Sequence, residues 1–86
     1  MRFLLTLNMP SASGNLVHQM NAEYPVNSIE EFVEALTNND FVIVEEFYKD
    51  PSKNTDYSRG HVAINHRFVG KIKILNNYIG NRKESI

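Results

Sequence analysis

The sequence predicts a small α+β domain in which one amphipathic helix packs on a mostly antiparallel sheet of about five strands. An N-terminal segment alternates apolar and polar residues, and a central segment has the residue spacing of an amphipathic helix. Short segments rich in β-branched and aromatic residues follow the helix. Together these observations indicate the element order ββαβββ.

The N-terminal part of the chain predicts a β-hairpin. Residues 2–9 place Phe3, Leu5, Leu7 and Met9 on one face, which is typical of a half-buried strand. Proline, glycine, serine and asparagine in residues 10–15 favour a loop. Residues 16–24 fit both the period of a strand and that of a helix. We favour a strand, because the turn formers would pair it with the first one.

The central helix has the clearest sequence signal. Ser28 and Glu31 have the spacing of a capping box, and the apolar residues that follow lie at positions i, i+3, i+4 and i+7. These apolar residues are Ile29, Phe32, Val33 and Leu36. We expect Phe32→Ala or Leu36→Ala to be strongly destabilising, and Asn38-Asn39 to supply a left-handed residue that ends the helix.

The third strand is predicted over residues 41–48, which begin with a continuous β-branched run. Such a run indicates a strand in the centre of the sheet that is covered on both faces near its start. Glu45 and Glu46 are consecutive, so one of them must point toward the helix side unless the strand bulges or ends there. A salt bridge or an edge position is expected for them. Residues 49–58 are polar and predict a connecting loop of about ten residues.

The remaining sequence predicts a C-terminal hairpin. Residues 60–64 and 68–75 are expected to form two strands joined through residues 65–67, and Gly70 suggests a bulge or a close backbone approach. We therefore expect one domain over residues 1–79 and a frayed tail over residues 80–86. One helix is too small to cover five strands, so the opposite sheet face is expected to be exposed or covered in a homodimer.

Composition limits the function classes. The chain has 86 residues, of which 42% are hydrophobic and 22% charged, as is typical of a single globular domain. It contains no cysteine, which excludes disulfides and thiolate metal sites. The apolar run at residues 3–7 is shorter than a membrane span or a signal peptide requires. We expect a soluble, cytoplasmic protein without membrane contact.

Charge is unevenly distributed along the chain. Residues 1–50 contain two basic and eight acidic side chains, whereas residues 51–86 contain seven basic and two acidic ones. The sum is −6 for the first part and +5 for the second, which gives the net charge of −1. Such asymmetry indicates an interaction surface, unless the two parts interleave in the fold and cancel.

The basic candidates for partner or nucleic-acid binding cluster around the predicted C-terminal hairpin. They are Arg59, His61, His66, Arg67, Lys71 and Lys73. With a stacking ring from Tyr57, Phe68 or Tyr78 nearby, this pattern would suit a single-stranded nucleic acid. The net charge and the pI of about 6.3 argue against a dedicated nucleic-acid domain.

Catalytic and cofactor motifs are missing from the sequence. The chain has no nucleophile elbow, no phosphate-binding loop and no close histidine pair, so no cofactor or metal is predicted. The leading prediction is a non-enzymatic accessory or regulatory interaction module that binds another protein or itself. The alternative is a weak nucleic-acid binder. A third hypothesis is a small hydrolase or nuclease using His18 or His61 with Glu45 or Glu46.

Overall fold

The fold is that of a computed structural model, which describes residues 1–53 and 55–75. Five antiparallel strands form one open sheet, and a single α-helix lies between the second and third strands. The elements are β1 (Arg2–Ser11), β2 (Gly14–Glu23), α1 (Ile29–Asn38), β3 (Phe41–Asp50), β4 (Thr55–Asn65), a 3-10 helix (His66–Phe68) and β5 (Val69–Ile74). The predicted α+β class and element order are confirmed. The predicted tail over residues 80–86 lies outside the described residues.

Strands β1 and β2 form the predicted hairpin. Their register runs without interruption from Arg2 opposite Glu23 to Ser11 opposite Gly14. The turn is shorter than the expected loop, because it needs only two residues between the strands and Gly14 adopts a φ of 119°. The Ser11 hydroxyl closes the turn by donating to the Gly14 carbonyl oxygen at 2.7 Å.

Helix α1 begins as the sequence predicts and ends differently. The Ser28 hydroxyl accepts from the Glu31 amide at 3.2 Å, and the Glu31 carboxylate accepts from the Asn27 amide at 2.8 Å. The expected left-handed residue is not used, because Asn39 has an extended backbone with a φ of −137°. Its side-chain amide instead donates to the Ala35 carbonyl at 2.8 Å, which satisfies a carbonyl of the last turn.

The core lies between α1 and one face of the sheet, which we call the inner face. The Phe3 and Phe32 rings stack with centroids 4.5 Å apart, and the Tyr24 ring packs against Phe32 at 5.1 Å. The buried residues of this core are Phe3, Leu5, Leu7, Met20, Ala22, Phe32, Leu36, Val42, Val44 and Ile64. The helix therefore covers a core built from residues of β1, β2, β3 and β4.

The strand order is β4-β3-β2-β1-β5, so the predicted C-terminal hairpin is wrong. Strands β4 and β5 form opposite edges of the sheet. The chain leaves β4 through the 3-10 helix, where the Asn65 side chain accepts from the Arg67 amide at 3.0 Å. Pairing with β1 then places Ile72 and Ile74 beside the buried Leu5 and Phe3, where their apolar surface packs on the core.

The sheet is curled. Only the three residues of the 3-10 helix lie between Asn65 and Val69, which limits the distance between these two residues to about 14 Å. Three strands lie between β4 and β5, and a flat sheet would hold those edges about 19 Å apart. The two ends can meet only because the sheet bends toward its inner face.

Strand β3 differs from the prediction in two ways. It is the second strand from an edge rather than the central one, and only its inner face is covered. Val42 and Val44 are buried, whereas Phe41 and Ile43 are 57% and 62% exposed. The β-branched run therefore combines one core face with one exposed apolar face.

The predicted loop over residues 49–58 is wrong, because most of it continues β3 and β4. The turn begins at Asp50 and Pro51, the residue types preferred at the first two positions of a tight turn. The Lys53 amide donates to the Asp50 carbonyl oxygen at 3.2 Å. The Ser52 hydroxyl and backbone amide both donate to the Asp50 carboxylate and hold its pKa below the ordinary value.

Two glycines interrupt the strand register. Gly70 is the extra residue where the β1–β5 pairing shifts between Thr6 and Leu7, which confirms the predicted bulge. Gly60 lies where the β3–β4 pairing shifts between Glu45 and Phe47, and its φ is 90°. Of these two glycines, Gly60 alone requires a conformation that L side chains rarely adopt.

Gly60→Ala is expected to lower the free energy of unfolding by about 1–2 kcal/mol, because a Cβ disfavours positive φ. The matched control is Gly70→Ala, since a Cβ there would lie 3.7 Å from the Thr6 carbonyl oxygen, an ordinary contact. Urea denaturation of both variants measures the difference. Equal loss of stability in the two variants would show that strain at Gly60 is not the cause.

Candidate interaction site

The sheet splits between β2 and β3. These strands pair only where Asn21, Ala22 and Glu23 lie opposite Phe47, Glu46 and Glu45. Beyond this point the β1–β2 and β3–β4 hairpins separate, and we call the gap between them the fork. Among the described residues, Gly14–Met20 of β2 pair with β1 alone. We call this segment the free β2 edge.

The free β2 edge exposes two large apolar side chains and contains no formally charged residue. Leu16 and Val17 are 55% and 62% exposed. Their register partners place Leu16 on the inner face with Met20 and place Val17 on the opposite, outer face. Residues 14–20 contain no lysine, arginine, acid or proline. Its strand pairing with β1 is also free of bulges.

The two outermost strands carry the features that natural proteins use to block edge pairing. β4 has the Gly60 bulge together with the charged Asp56 and Arg59. β5 has the Gly70 bulge and the exposed lysines Lys71 and Lys73. Charges and bulges oppose the addition of another strand. The free β2 edge lacks both, and so does the short segment 41–44 of β3, which among the described residues pairs with β4 alone.

An apolar hollow of about 410 Å³ opens on the inner face beside the fork. Its residues come from β1, β2, β3, β4 and the 3-10 helix. They are Leu7, Met9, His18, Met20, Phe41, Glu46, Val62, Ala63, Ile64, Asn65 and Phe68. Methionine and aromatic side chains adapt to different apolar groups, so this hollow suits side chains supplied by a partner.

A second hollow of about 390 Å³ lies on the other side of the fork. His18, Met20 and Glu46 line both hollows, which places them at the base of the fork. The Arg59 guanidinium lies 4.8 Å from the centroid of the Tyr48 ring in this region. The fork is therefore accessible from both faces of the sheet and has polar groups at its base.

Arg2 holds the hairpins together where the fork begins. Its Nε donates to Glu23 Oε1 at 3.0 Å, and its Nη1 donates to Asp56 Oδ2 at 3.1 Å. The guanidinium lies 3.4 Å from the centroid of the Phe47 ring, and the side chain is only 12% exposed. Arg2 thus connects β1 with β2, β3 and β4.

The sequence-predicted basic residues are dispersed over the fold. Arg59 and His61 lie on β4, whereas Lys71 and Lys73 lie on β5 at the opposite edge. His66 and Arg67 lie in the 3-10 helix, where His66 Nδ1 is 2.8 Å from the Asn39 carbonyl oxygen. The structure therefore does not bring the six residues together on one hairpin, and their binding role stays a prediction.

The aromatic candidates for stacking are also separated. Tyr57 is exposed on β4, while Phe68 lines the inner hollow. Tyr78 lies outside the described residues. Tyr57 and Phe68 therefore do not form a continuous strip with the basic residues.

The histidine and glutamate candidates occupy two places. His61 lies directly opposite Glu45 on the outer face, and Glu45 accepts from the Ser58 hydroxyl at 2.6 Å. His18 and Glu46 line the fork. The ion pairs found among residues 1–53 and 55–75 are those of Arg2, so the salt bridge expected for Glu45 or Glu46 is not seen there. Both glutamates instead adjoin the β3–β4 bulge.

The described residues also bear on two other kinds of site, a metal centre and a membrane span. No group of three or more histidine, aspartate or glutamate side chains close enough to hold a metal ion occurs in this part of the chain. The described part of the chain likewise has no helix long and apolar enough to cross a membrane.

Comparison with known proteins finds no relative: no family model, no curated protein and no solved structure matches this chain. The fold defines a small α+β protein with a split antiparallel sheet. Its candidate site is the free β2 edge together with the two hollows of the fork.

Proposed function

We propose that this protein is a non-enzymatic interaction module that binds another protein chain at the fork. The observation that carries the proposal is an unprotected, uncharged strand edge beside an apolar hollow of about 410 Å³. An edge strand has unpaired backbone N–H and C=O groups, which are a template for another strand. The bulges and charges of β4 and β5 disfavour strand addition at those two outermost edges.

Strand addition explains how the site would work. An extended partner segment would form backbone hydrogen bonds with the free β2 edge, which supply affinity regardless of sequence. Its alternate side chains would point to the inner and outer faces. The inner set would enter the apolar hollow between Met9 and Phe68, which selects apolar residues at every second position.

A test of this function compares variants that alter one surface each. Val17→Lys adds a charge to the free β2 edge, and Ile43→Lys adds one to the equally exposed outer face of β3. A third variant, Lys71→Glu with Lys73→Glu, reverses the charge of β5. Each tagged protein captures partners from lysate of the organism that encodes it, with and without nuclease treatment.

The proposal predicts a nuclease-resistant protein that the wild type and Ile43→Lys retain and that Val17→Lys retains at least tenfold less. Circular dichroism of the three variants checks that the fold is kept. Retention lost with nuclease, and with the Lys71 and Lys73 variant, would instead support the nucleic-acid alternative. Protein retention lost only in Ile43→Lys would move the interface to the outer face.

A further inference from the structure

We propose that the strand added to the free β2 edge is the same edge of a second copy, paired antiparallel about a two-fold axis at Val17. This inference rests on the proposed function and adds the identity of the partner. Two-fold symmetric pairing places the same surface on both sides, so the edge must be complementary to itself. Three properties of Gly14–Met20 meet this requirement.

The first property is length. A two-fold axis at Val17 lets all seven residues of Gly14–Met20 pair with their counterparts in the second copy. An axis at Leu16 or His18 would pair only five of them. Since each added residue extends the backbone hydrogen-bonded ladder, the register centred on Val17 is the most favourable.

The second property is charge. Symmetric pairing brings like residues together, and like charges directly opposite each other are destabilising. The free β2 edge carries no lysine, arginine or acid, so symmetric pairing here has no such cost. The β5 edge would place its lysines near those of the second copy, because Lys71 and Lys73 are only two residues apart.

The third property is the chemistry of the resulting pairs. On the outer face Val17 would meet Val17 of the second copy, with Asn15 opposite Gln19 on either side. On the inner face Leu16 would lie opposite His18. Valine pairs and amide pairs both suit cross-strand positions, and the symmetric pairing covers the most exposed apolar residue of β2.

In the proposed pair the second strand enters the fork from its open end. In this register Gly14 of the second copy lies opposite Met20, at the base of the fork. The segment that approaches β3 is therefore the turn of the second copy, residues 12 and 13, which must bend away from the strand because Asn21 already pairs with Phe47. The hollow of about 390 Å³ beside Tyr48 and Lys49 would receive it.

Cysteine cross-linking tests the register directly, because the chain has no cysteine of its own. Directly opposite residues of antiparallel strands have Cα atoms about 4.5–5.5 Å apart, which a disulfide spans. Val17→Cys should therefore form a covalent dimer under mild oxidation. Asn15→Cys is the matched control, since its two copies would lie about 14 Å apart along the strands.

The expected result is that more than half of Val17→Cys becomes a disulfide dimer, while less than a tenth of Asn15→Cys does. Mixing Asn15→Cys with Gln19→Cys should restore cross-linking between the two variants. Sedimentation equilibrium of the cysteine-free wild type should show a dimer, and Val17→Lys should raise its dissociation constant at least tenfold. Ile43→Lys should leave it unchanged.

A monomeric wild type over the whole accessible concentration range would overturn the self-pairing. So would equal cross-linking of Val17→Cys and Asn15→Cys, or a dimer that Ile43→Lys disrupts. A monomer whose capture of another protein still depends on Val17 would overturn only this inference. Loss of both self-association and edge-dependent capture would overturn the proposed function as well.

Discussion

Phe32→Ala is expected to lower the free energy of unfolding by about 3–5 kcal/mol, the range for a large aromatic residue removed from a core. Phe32 is completely buried and stacks on Phe3, and Tyr24 packs against its other side. Its removal would leave a cavity where α1 meets β1 and β2. Since domains of this size are stable by only about 5–15 kcal/mol, this variant should be largely unfolded near physiological temperature.

The control for Phe32→Ala lies on the next residue of the same helix. Val33 is 45% exposed, so Val33→Ala is expected to change stability by less than about 1 kcal/mol. Urea denaturation followed by circular dichroism compares the two variants with the wild type. Similar losses in both would mean that the aromatic stack does not account for the effect, because alanine has a higher helix propensity than either residue it replaces.

Arg2→Met is expected to lower the free energy of unfolding by about 2–3 kcal/mol. The substitution removes two charge-assisted hydrogen bonds and the contact with the Phe47 ring. Glu23 and Asp56 lose the cation that pairs with them. Because Arg2 connects four strands at the base of the fork, we also expect faster amide exchange at Asn21–Glu23.

Two further variants separate the contributions of Arg2. Arg2→Lys keeps the charge but not the planar fork of donors, so it should recover less than half of the lost stability. Arg67→Met removes an exposed arginine and should change stability by less than about 0.5 kcal/mol. Full recovery in Arg2→Lys would show that net charge alone accounts for the effect.

The position of the fork links stability to the proposed function. The core beneath α1 and the Arg2 cluster hold the three residue pairs that join β2 to β3. The free β2 edge lies beyond these pairs and outside the core. Substitutions at Val17 are therefore expected to affect binding with little loss of stability, whereas substitutions at Phe32 or Arg2 affect stability first.

An uncovered apolar edge is also a risk to the protein. Short segments with high β propensity, no proline and no charge are prone to aggregate when exposed. Leu16-Val17 within Gly14–Met20 matches this description. Pairing with a second copy would cover this edge, because each of the two β2 strands would then have a hydrogen-bonded neighbour on both sides.

The elements that could be read from the sequence are those with local physical causes. The alternation of residues 2–9 predicted β1, and the Ser28–Glu31 capping box with its apolar spacing predicted α1. The bulge predicted at Gly70 is confirmed by the shift in the β1–β5 register. Turn formers between the first two strands predicted their hairpin. In each case neighbouring residues carry the whole signal.

The sequence near residue 50 also contains the signal of a tight turn. Asp50-Pro51-Ser52 has the residue types of a tight turn, which would have predicted long β3 and β4 strands in place of a loop. The exposure of Ile43 has no comparable local signal, because a β-branched run looks the same whether one face or both are covered.

The candidate site depends on contacts that local sequence does not contain. The alternation of residues 69–74 is equally compatible with pairing to β4 or to β1, and packing of Ile72 and Ile74 beside the core decides for β1. Pairing of β5 with β1 places Lys71 at the edge of the sheet opposite to that of Arg59. The role of Arg2 likewise arises because the curled sheet brings Glu23, Phe47 and Asp56 to one side chain.

The sequence by itself determined the α+β class and the order of elements, because periodicity and capping act over a few residues. Only the tertiary structure decided the strand order and the early separation of β2 from β3. The physical reason is that backbone pairing is the same for any two strands, so the neighbour of each strand is chosen by side-chain packing across the whole domain. The free β2 edge is a result of that choice.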